Sequence, residues 1–519
     1  MAKKIGLEEN QGAQINLKGD DMAIRTPEQY IESLKDDRVV WIEGEKVEDV
    51  TKHPHLRTCA ETCAMDYVLC QDPRYKDLLI ERDDKGEPYH YSFKPTQSSQ
   101  DILRRRQAIQ LGARTCFGFP AGAKFTGIDA LHALTSVCRR MDKEIGSSYA
   151  PRVEAYRQIC KDEDAAIAVA MTDVKGDRSL HPSKQKTHQD YYVRIVDETK
   201  EGIVVRGAKA HISLSPLSNE VIVLPCRAMR EEDKDYAVAF AFSPNTKGVT
   251  FIAPCPEPIE EGNHFDYPIT SHLYAADAMI IFDDVFIPME KVFMKGEWQY
   301  AGPIAYMFAN FHRLSADAYK VATLEILAGA AALMAEYNGL DRVPHIQEKL
   351  SWLMWYAEST DALGRVACLD CVIDPSSGVA YPNPMYSNAS KFFFAENYHQ
   401  ALKQVIDIAG GIVVTIPSSK DYLNPQTHDL IDKYLGGKEG IPAEHRIRAI
   451  KLVKDLLGAW DQVTTIHAEG SLSAQKLSFF QLGDWERYKA AAKRVAGIED
   501  EKKHPFFGEL PKFPTWTWE

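Results

Sequence analysis

Two short stretches of this sequence concentrate groups that can meet a phosphorylated ligand. Ala170 to Gln185 reads AMTDVKGDRSLHPSKQ, and Gly202 to Ser213 reads GIVVRGAKAHIS. The first brings together the Thr172 hydroxyl, the carboxylates of Asp173 and Asp177, the cations Lys175 and Arg178, and a hinge at Gly176. The second has the pattern of a strand that ends in small polar residues. A polar loop beside a strand suits a large cofactor such as a flavin. Backbone and hydroxyl groups can meet the edge of its ring, and Lys or Arg its pyrophosphate. Thr172 and Ser213 suit the ring, because a hydroxyl both donates and accepts. Lys175 and Arg178 suit the phosphates, Arg178 through its two-point grip, and Gln185 could line the same cavity. The alternative is a solvated turn feeding a hairpin, with the hydroxyls capping backbone and the cations paired to Asp173 or Asp177.

His312 stands within FANFHRLSADAYK (Phe308 to Lys320). An imidazole there could act as acid or base near neutral pH, or be a satisfied structural residue. Cys59-x3-Cys63 and Cys368-x2-Cys371 each look like half a metal site. Zinc wants four ligands in closed geometry, and no matching pair lies near either, so both are read as core packing and no metal is expected. There is no Gly-rich dinucleotide fingerprint and no phosphate loop ending in Lys-Ser/Thr. A flavin would therefore be held by a barrel and a helical bundle.

Three regions of different period must position these groups. Thr26 to about Cys160 reads as largely helical. Ser99 to Leu111 opens on an N-cap-like Ser, and Ile128, Leu131, Leu134 and Val137 recur at helical spacing. From about Asp162 to Pro288 the pattern turns β-rich, in runs such as Ile203–Val205, Val221–Leu224, Tyr236–Phe242, Val249–Ala253 and Ala278–Phe282, separated by turn clusters. Several short strands at this spacing predict a barrel or sandwich. Beyond Met289 the chain is helical again, with helices predicted over Leu314–Tyr337, Val343–Val372, Asn388–Ala409 and Ala443–His467, which implies a bundle.

The chain has 519 residues, 45% of them hydrophobic and 26% charged, enough for a large buried core. A formal charge of −13 argues against nucleic acid as a main partner. The first twelve residues are polar, so no leader is expected, and no stretch reads as apolar and long enough to cross a membrane. The ten cysteines are expected to be buried thiols of a cytoplasmic protein.

These two stretches are joined by TPEQYIESL (Thr26–Leu34), GEKVED (Gly44–Asp49), HPHLR (His53–Arg57), DKDYAVAFA (Asp233–Ala241), IIFDDVFIP (Ile280–Pro288), FHRLSADAYK (Phe311–Lys320) and IAGGIVVTIPS (Ile408–Ser418). Together they resemble the flavoprotein family that contains the oxygenase component of 4-hydroxyphenylacetate 3-hydroxylase and 4-hydroxybutyryl-CoA dehydratase, with central pieces nearer the dehydratase branch. The resemblance implies an α+β, acyl-CoA dehydrogenase-like fold. Its parts would be an N-terminal helical domain (1–160), a central β-barrel domain (161–295) and a C-terminal helical bundle (296–519), assembled as a homotetramer. It implies FAD as cofactor, with Thr172, Lys175, Arg178, Gln185 and Ser213 around it and His312 and Lys320 on the catalytic side. In the dehydratase branch the residue matching His312 ligates an iron–sulfur cluster and works in proton transfer.

Departures from the family pattern bear on the reaction. Tyr319 stands where the dehydratase branch has a Cys, and CFGFPAGAKFTG (Cys116–Gly127) offers one Cys where that branch has Cys-x3-Cys. A cubane cluster needs soft thiolates, so none is expected. The acid–base Glu of that branch falls in Gln462–Gly470, with Thr464 in the matching place, and is read as missing. The hydroxylase branch's substrate-binding Arg and Tyr match Thr126 and Ala130, and its substrate-side His matches Val169. The expectation is an FAD-dependent oxidoreductase of the two-component monooxygenase type, acting on an aromatic or related small organic substrate and served by a separate flavin reductase. The rivals are a redox-neutral dehydratase or isomerase of a CoA thioester lacking the cluster, and a non-catalytic relative.

Overall fold

The computed structural model describes residues 24–254, 262–272, 276–458, 469–496 and 498. Local chemistry sets the helix ends. The Ser98 hydroxyl accepts from the Asp101 amide and starts the helix Ser99–Thr115. Gly146, at φ +69°, closes the helix Thr126–Ile145 in the left-handed conformation. In that second helix Ile128, Leu131, Leu134 and Val137 are all buried, as their spacing predicts.

Two sheets make up the centre. One runs, in spatial order, Glu45–Val47, Val40–Ile42, Val249–Ala253, Asp277–Pro288, Gly202–Ser213 and Arg194–Glu198. The other runs Val292–Lys295, Val238–Phe242, Glu220–Val223 and Ile167–Ala170. An isolated antiparallel bridge between Asp173 and Lys209 links the two at one corner. Phe240, Phe242 and Phe282 meet edge to face between them.

The N-terminal region is not wholly helical, which corrects the reading from periodicity. Val40–Ile42 pairs in parallel with Val249–Ala253, placing Val40 opposite Phe251, and carries Glu45–Val47 on its outer side. Three-residue strands are too short to register as a period.

The C-terminal bundle is built on one long helix, Ala301–Tyr337, against which the helices Ser99–Thr115, Thr126–Ile145, Pro344–Leu369, Pro384–Ala409 and Ala443–Gly458 pack. It starts well before Leu314, because Ile304, Met307, Phe308 and Phe311 already form a buried helical face. The span Trp298–Tyr337 is apolar and long enough to pass for a membrane crossing, which corrects the reading that no stretch is, although 61% of its apolar window is buried inside the fold. Its buried Asp317 is anchored by Arg106 at 2.8 Å, and Arg106 also reaches Asp361 at 2.9 Å. The described cysteines are free thiols, seven of them buried, with Cys226 and Cys371 partly exposed; Cys255 lies outside the described residues.

Candidate active site

The long helix presents His312, Ser315, Tyr319 and Lys320 along one stripe. Residues three, seven and eight apart return to the same face of an α-helix. His312 Nδ1 lies 3.1 Å from Asp129 Oδ2, and the Ser315 hydroxyl donates to Asp129 Oδ1 at 2.9 Å. Asp129 is fully buried on the helix Thr126–Ile145, and Arg105 donates to the same Oδ1 at 2.7 Å. Arg105 also donates to the Phe125 carbonyl at 2.8 Å. The imidazole stacks between Phe308, 4.9 Å between ring centres, and Phe125, at 6.4 Å. Its side chain keeps 19% of its surface exposed, so one edge is open.

A turn further on, a carboxylate that sequence reasoning missed organises the site. Glu469 Oε2 accepts from Lys320 at 2.6 Å and lies 3.5 Å from Lys391, while its Oε1 accepts from the Tyr319 hydroxyl at 2.8 Å. Tyr319 and Lys320 come from the long helix, Lys391 from the helix Pro384–Ala409 and Glu469 from just before the helix Leu472–Leu482, and the Glu469, Lys320 and Lys391 side chains are each no more than 2% exposed. Burial alone would raise the Glu469 carboxyl, but Lys320, Lys391, His312 and the Lys320 hydrogen bond outweigh it and hold it down at about 2. Lys391 is pushed down to about 7, first by burial and then by the like charge of Lys320. Glu469 lies within Gln462–Gly470, the stretch read as lacking the acid–base Glu of the dehydratase branch; Thr464, the position read as its match, lies outside the described residues. Glu469 sits in a turn just before the helix Leu472–Leu482, outside the described helices, so no helical period points to it.

Tyr319 offers an oxygen, engaged with Glu469, where the dehydratase branch offers a thiolate. Cys116 is buried, and burial pushes its thiol well up. That donor set does not fit a thiolate-ligated cluster. At the positions where the hydroxylase branch carries polar groups, Ala130 and Val169 are buried and apolar.

The loop read as a cofactor cradle leaves the strand Ile167–Ala170 and folds back on the strand Gly202–Ser213. The Thr172 carbonyl accepts from the Ala210 amide at 2.8 Å. Asp173 is buried against Lys209, 2.9 Å away, and Lys209 also donates to the carbonyls of Met171 and Leu224 at 3.0 and 2.9 Å. This buried pair fixes the root of the loop. Lys175 takes a left-handed φ of +76°, and a Cβ on Gly176 would collide with Tyr191 and Gln185. Gln185 does not extend into a cavity: its amide accepts from the Asp177 N–H at 3.0 Å and donates to the Asp177 carbonyl at 2.9 Å. It staples the loop, so its place is in shaping the cradle. Arg178 is exposed, and Asp173 and Asp177 are engaged elsewhere, with Lys209 and Ser179, so the salt bridge of the alternative reading does not form.

Ser213 is exposed at the end of its strand, opposite Asp277. Among the described residues Asp277 Oδ1 is buried without a partner, and burial raises its carboxyl despite a hydrogen bond with Ser213. A buried acceptor lacking a donor beside an exposed hydroxyl fits a ligand edge that donates. The loop 116–125 joins this half of the site to the other. A Cβ on Gly122 would strike Leu214, next to Ser213, while Phe125 lies against His312 and the Thr323 hydroxyl donates to the Gly118 carbonyl at 2.6 Å.

The chain is similar to known proteins along most of its length. The family models for the N-terminal and C-terminal parts of 4-hydroxyphenylacetate 3-hydroxylase match residues 26–294 and 301–497. The chain is 33% identical to the 4-hydroxybutyryl-CoA dehydratase/vinylacetyl-CoA-Delta-isomerase of Clostridium aminobutyricum, over 92% of this chain and 100% of that one. It is 31% identical to the 4-hydroxyphenylacetate 3-monooxygenase oxygenase component of Thermus thermophilus, over 83% of this chain and 88% of that one. Among solved structures, the oxygenase component of 4-hydroxyphenylacetate 3-monooxygenase complexed with FAD superposes with a TM-score of 0.83 at 28% identity, covering 92% of this chain and 99% of that one.

Proposed function

Because the chain belongs to the 4-hydroxyphenylacetate 3-hydroxylase family, we propose that it is an FAD-dependent oxidoreductase of the two-component monooxygenase type. A separate reductase supplies reduced FAD, and the substrate is an aromatic or related small organic molecule. The observation that carries this reading is the loop after Ala170, whose buried Asp173–Lys209 root ties Thr172, Lys175 and Arg178 to the strand that ends in an exposed Ser213. Thr172 and Ser213 hold the flavin ring, and Lys175 and Arg178 hold the diphosphate. Reduced FAD supplies the electrons for dioxygen activation when bound. The protein's own part is to keep that site dry, with Phe125 and Phe308 as walls, and to move protons at His312 Nε2 and the Tyr319 hydroxyl. The test is absorbance of the FAD-loaded protein, followed by mixing its reduced form with oxygen and a panel of phenols that includes 4-hydroxyphenylacetate. Oxygenated product supports the reading; FAD binding with no oxygenated product from any phenol counts against it.

The Glu469 cluster favours a second reading, a dehydratase or isomerase of a CoA thioester that works without an iron–sulfur cluster. A carboxylate, two lysines and a phenol in contact, with an imidazole two turns back on the long helix, can take and return protons without net oxidation. Turnover of 4-hydroxybutyryl-CoA or vinylacetyl-CoA under nitrogen would favour it over the first. The proposal also includes a cytoplasmic homotetramer. Free thiols suit a reducing compartment, and Met354, Trp355 and Leu369 stand exposed on the helix Pro344–Leu369, as a contact face between copies would require. Sedimentation velocity measures the assembly directly.

A further inference from the structure

We propose that Asp129 is a positioning residue that fixes His312 in a single tautomer, Nδ1–H with a bare Nε2, so that the imidazole meets the substrate as a proton acceptor. This deepens the reading of the site given above and rests on it. Asp129 has no exposed surface, and its Oδ1 already receives two donors, the Arg105 guanidinium at 2.7 Å and the Ser315 hydroxyl at 2.9 Å. Its remaining oxygen, Oδ2, faces His312 Nδ1 at 3.1 Å. A carboxylate that receives a guanidinium and a hydroxyl is an acceptor at Oδ2 as well, so Nδ1 must be the donor. In a neutral imidazole the other nitrogen then carries the lone pair. Among the described residues, Nε2 has no hydrogen-bond partner, and the ring, stacked on Phe125 and Phe308, keeps 19% of its side-chain surface exposed.

Three elements hold this geometry. Arg105 comes from the helix Ser99–Thr115, Asp129 from the helix Thr126–Ile145, and Ser315 with His312 from the long helix. Arg105 also grips the Phe125 carbonyl, so the group that orders Asp129 also sets the aromatic wall of the ring. When His312 acts, a substrate C–H or O–H bond breaks, its electron pair stays on the substrate atom, and the proton forms the Nε2–H bond. The imidazolium charge then faces Asp129 across the Nδ1–H···Oδ2 bond.

Solid-state nitrogen-15 NMR of histidine-labelled protein, at about pH 8.5, above the ordinary histidine range, reads the tautomer directly. The His312→Asn variant identifies which signals belong to His312. The wild-type protein is expected to show a protonated Nδ1 and a bare Nε2; an Nε2–H signal overturns the proposal. Asp129→Asn, whose amide can turn an N–H toward Nδ1, is expected to lose this preference, and an unchanged bare-Nε2 signal in a folded variant removes Asp129 as its cause. Should that variant fail to fold, the wild-type spectrum alone decides. No FAD or substrate is needed, so a chain that bound no flavin would end the proposed function and leave the tautomer as measured.

Discussion

Ser213 carries a hydroxyl that is exposed yet bonded to a carboxylate which burial has raised. Ser213→Ala removes a hydrogen bond worth about 1 kcal/mol and is expected to weaken FAD binding several-fold in an equilibrium titration; unchanged affinity would move the ring elsewhere. His312→Ala is expected to leave FAD affinity intact and to lower turnover roughly 10²- to 10⁴-fold, the range of a lost general acid or base. Lys391 makes a prediction about pH. Its folded value is about 7, against 10.5 for an ordinary lysine. Between these values the unfolded chain holds a proton that the folded one has released, so the unfolded state binds more protons and stability rises with pH in that window. Lys391→Met, which has no such proton to lose, should flatten the rise in urea midpoint between pH about 7 and about 9.5.

Elements show best what was legible in the sequence. The helices beginning at Ser99 and Pro344 and the helix ending at Ala409 follow from caps and from apolar residues at helical spacing, while the helix Thr126–Ile145 runs one turn past the predicted Asp142 to its Gly146 cap. The central strands follow from β-rich runs between turn clusters. The loop Ala170–Gln185 was recognisable because its polar residues crowd beside a strand. What escaped was long-range. Lys209 looks like an outward-facing strand residue, yet it is buried under the loop with Asp173 as its partner. Glu469 belongs to the site only because the chain returns to the long helix about 150 residues after Tyr319. Gly364 is similarly silent in sequence. It sits where the helix Pro344–Leu369 crosses the long helix, and a Cβ there would collide with the Asp317 carboxylate that Arg106 holds. Gly364→Ala should therefore cost more than about 2 kcal/mol in denaturant unfolding, although alanine is the better helix former.

For the molecule as a whole, the changes of secondary structure near Asp162 and Lys295 suggest three separable pieces, but the sheet order denies that. The six-stranded sheet takes its strands Val40–Ile42 and Glu45–Val47 from the first helical region. A fragment of residues 161–295 would leave the backbone of Val249–Ala253 unpaired along one side, next to buried Phe251. Such an open edge is a template for association, so the fragment is expected in the insoluble fraction, while one starting at residue 24 keeps the edge covered; a soluble, monomeric 161–295 would refute this. The same pairing orders events on the ribosome. Val40 leaves the exit tunnel roughly 200 residues ahead of the partner it must meet, so the nascent chain has to carry its first strands unmated while the first helices form. Only after the strand from Asp277 has emerged can the platform beneath the cofactor loop close, which makes the middle of the message, rather than its beginning, the point at which this enzyme first has a place for its flavin.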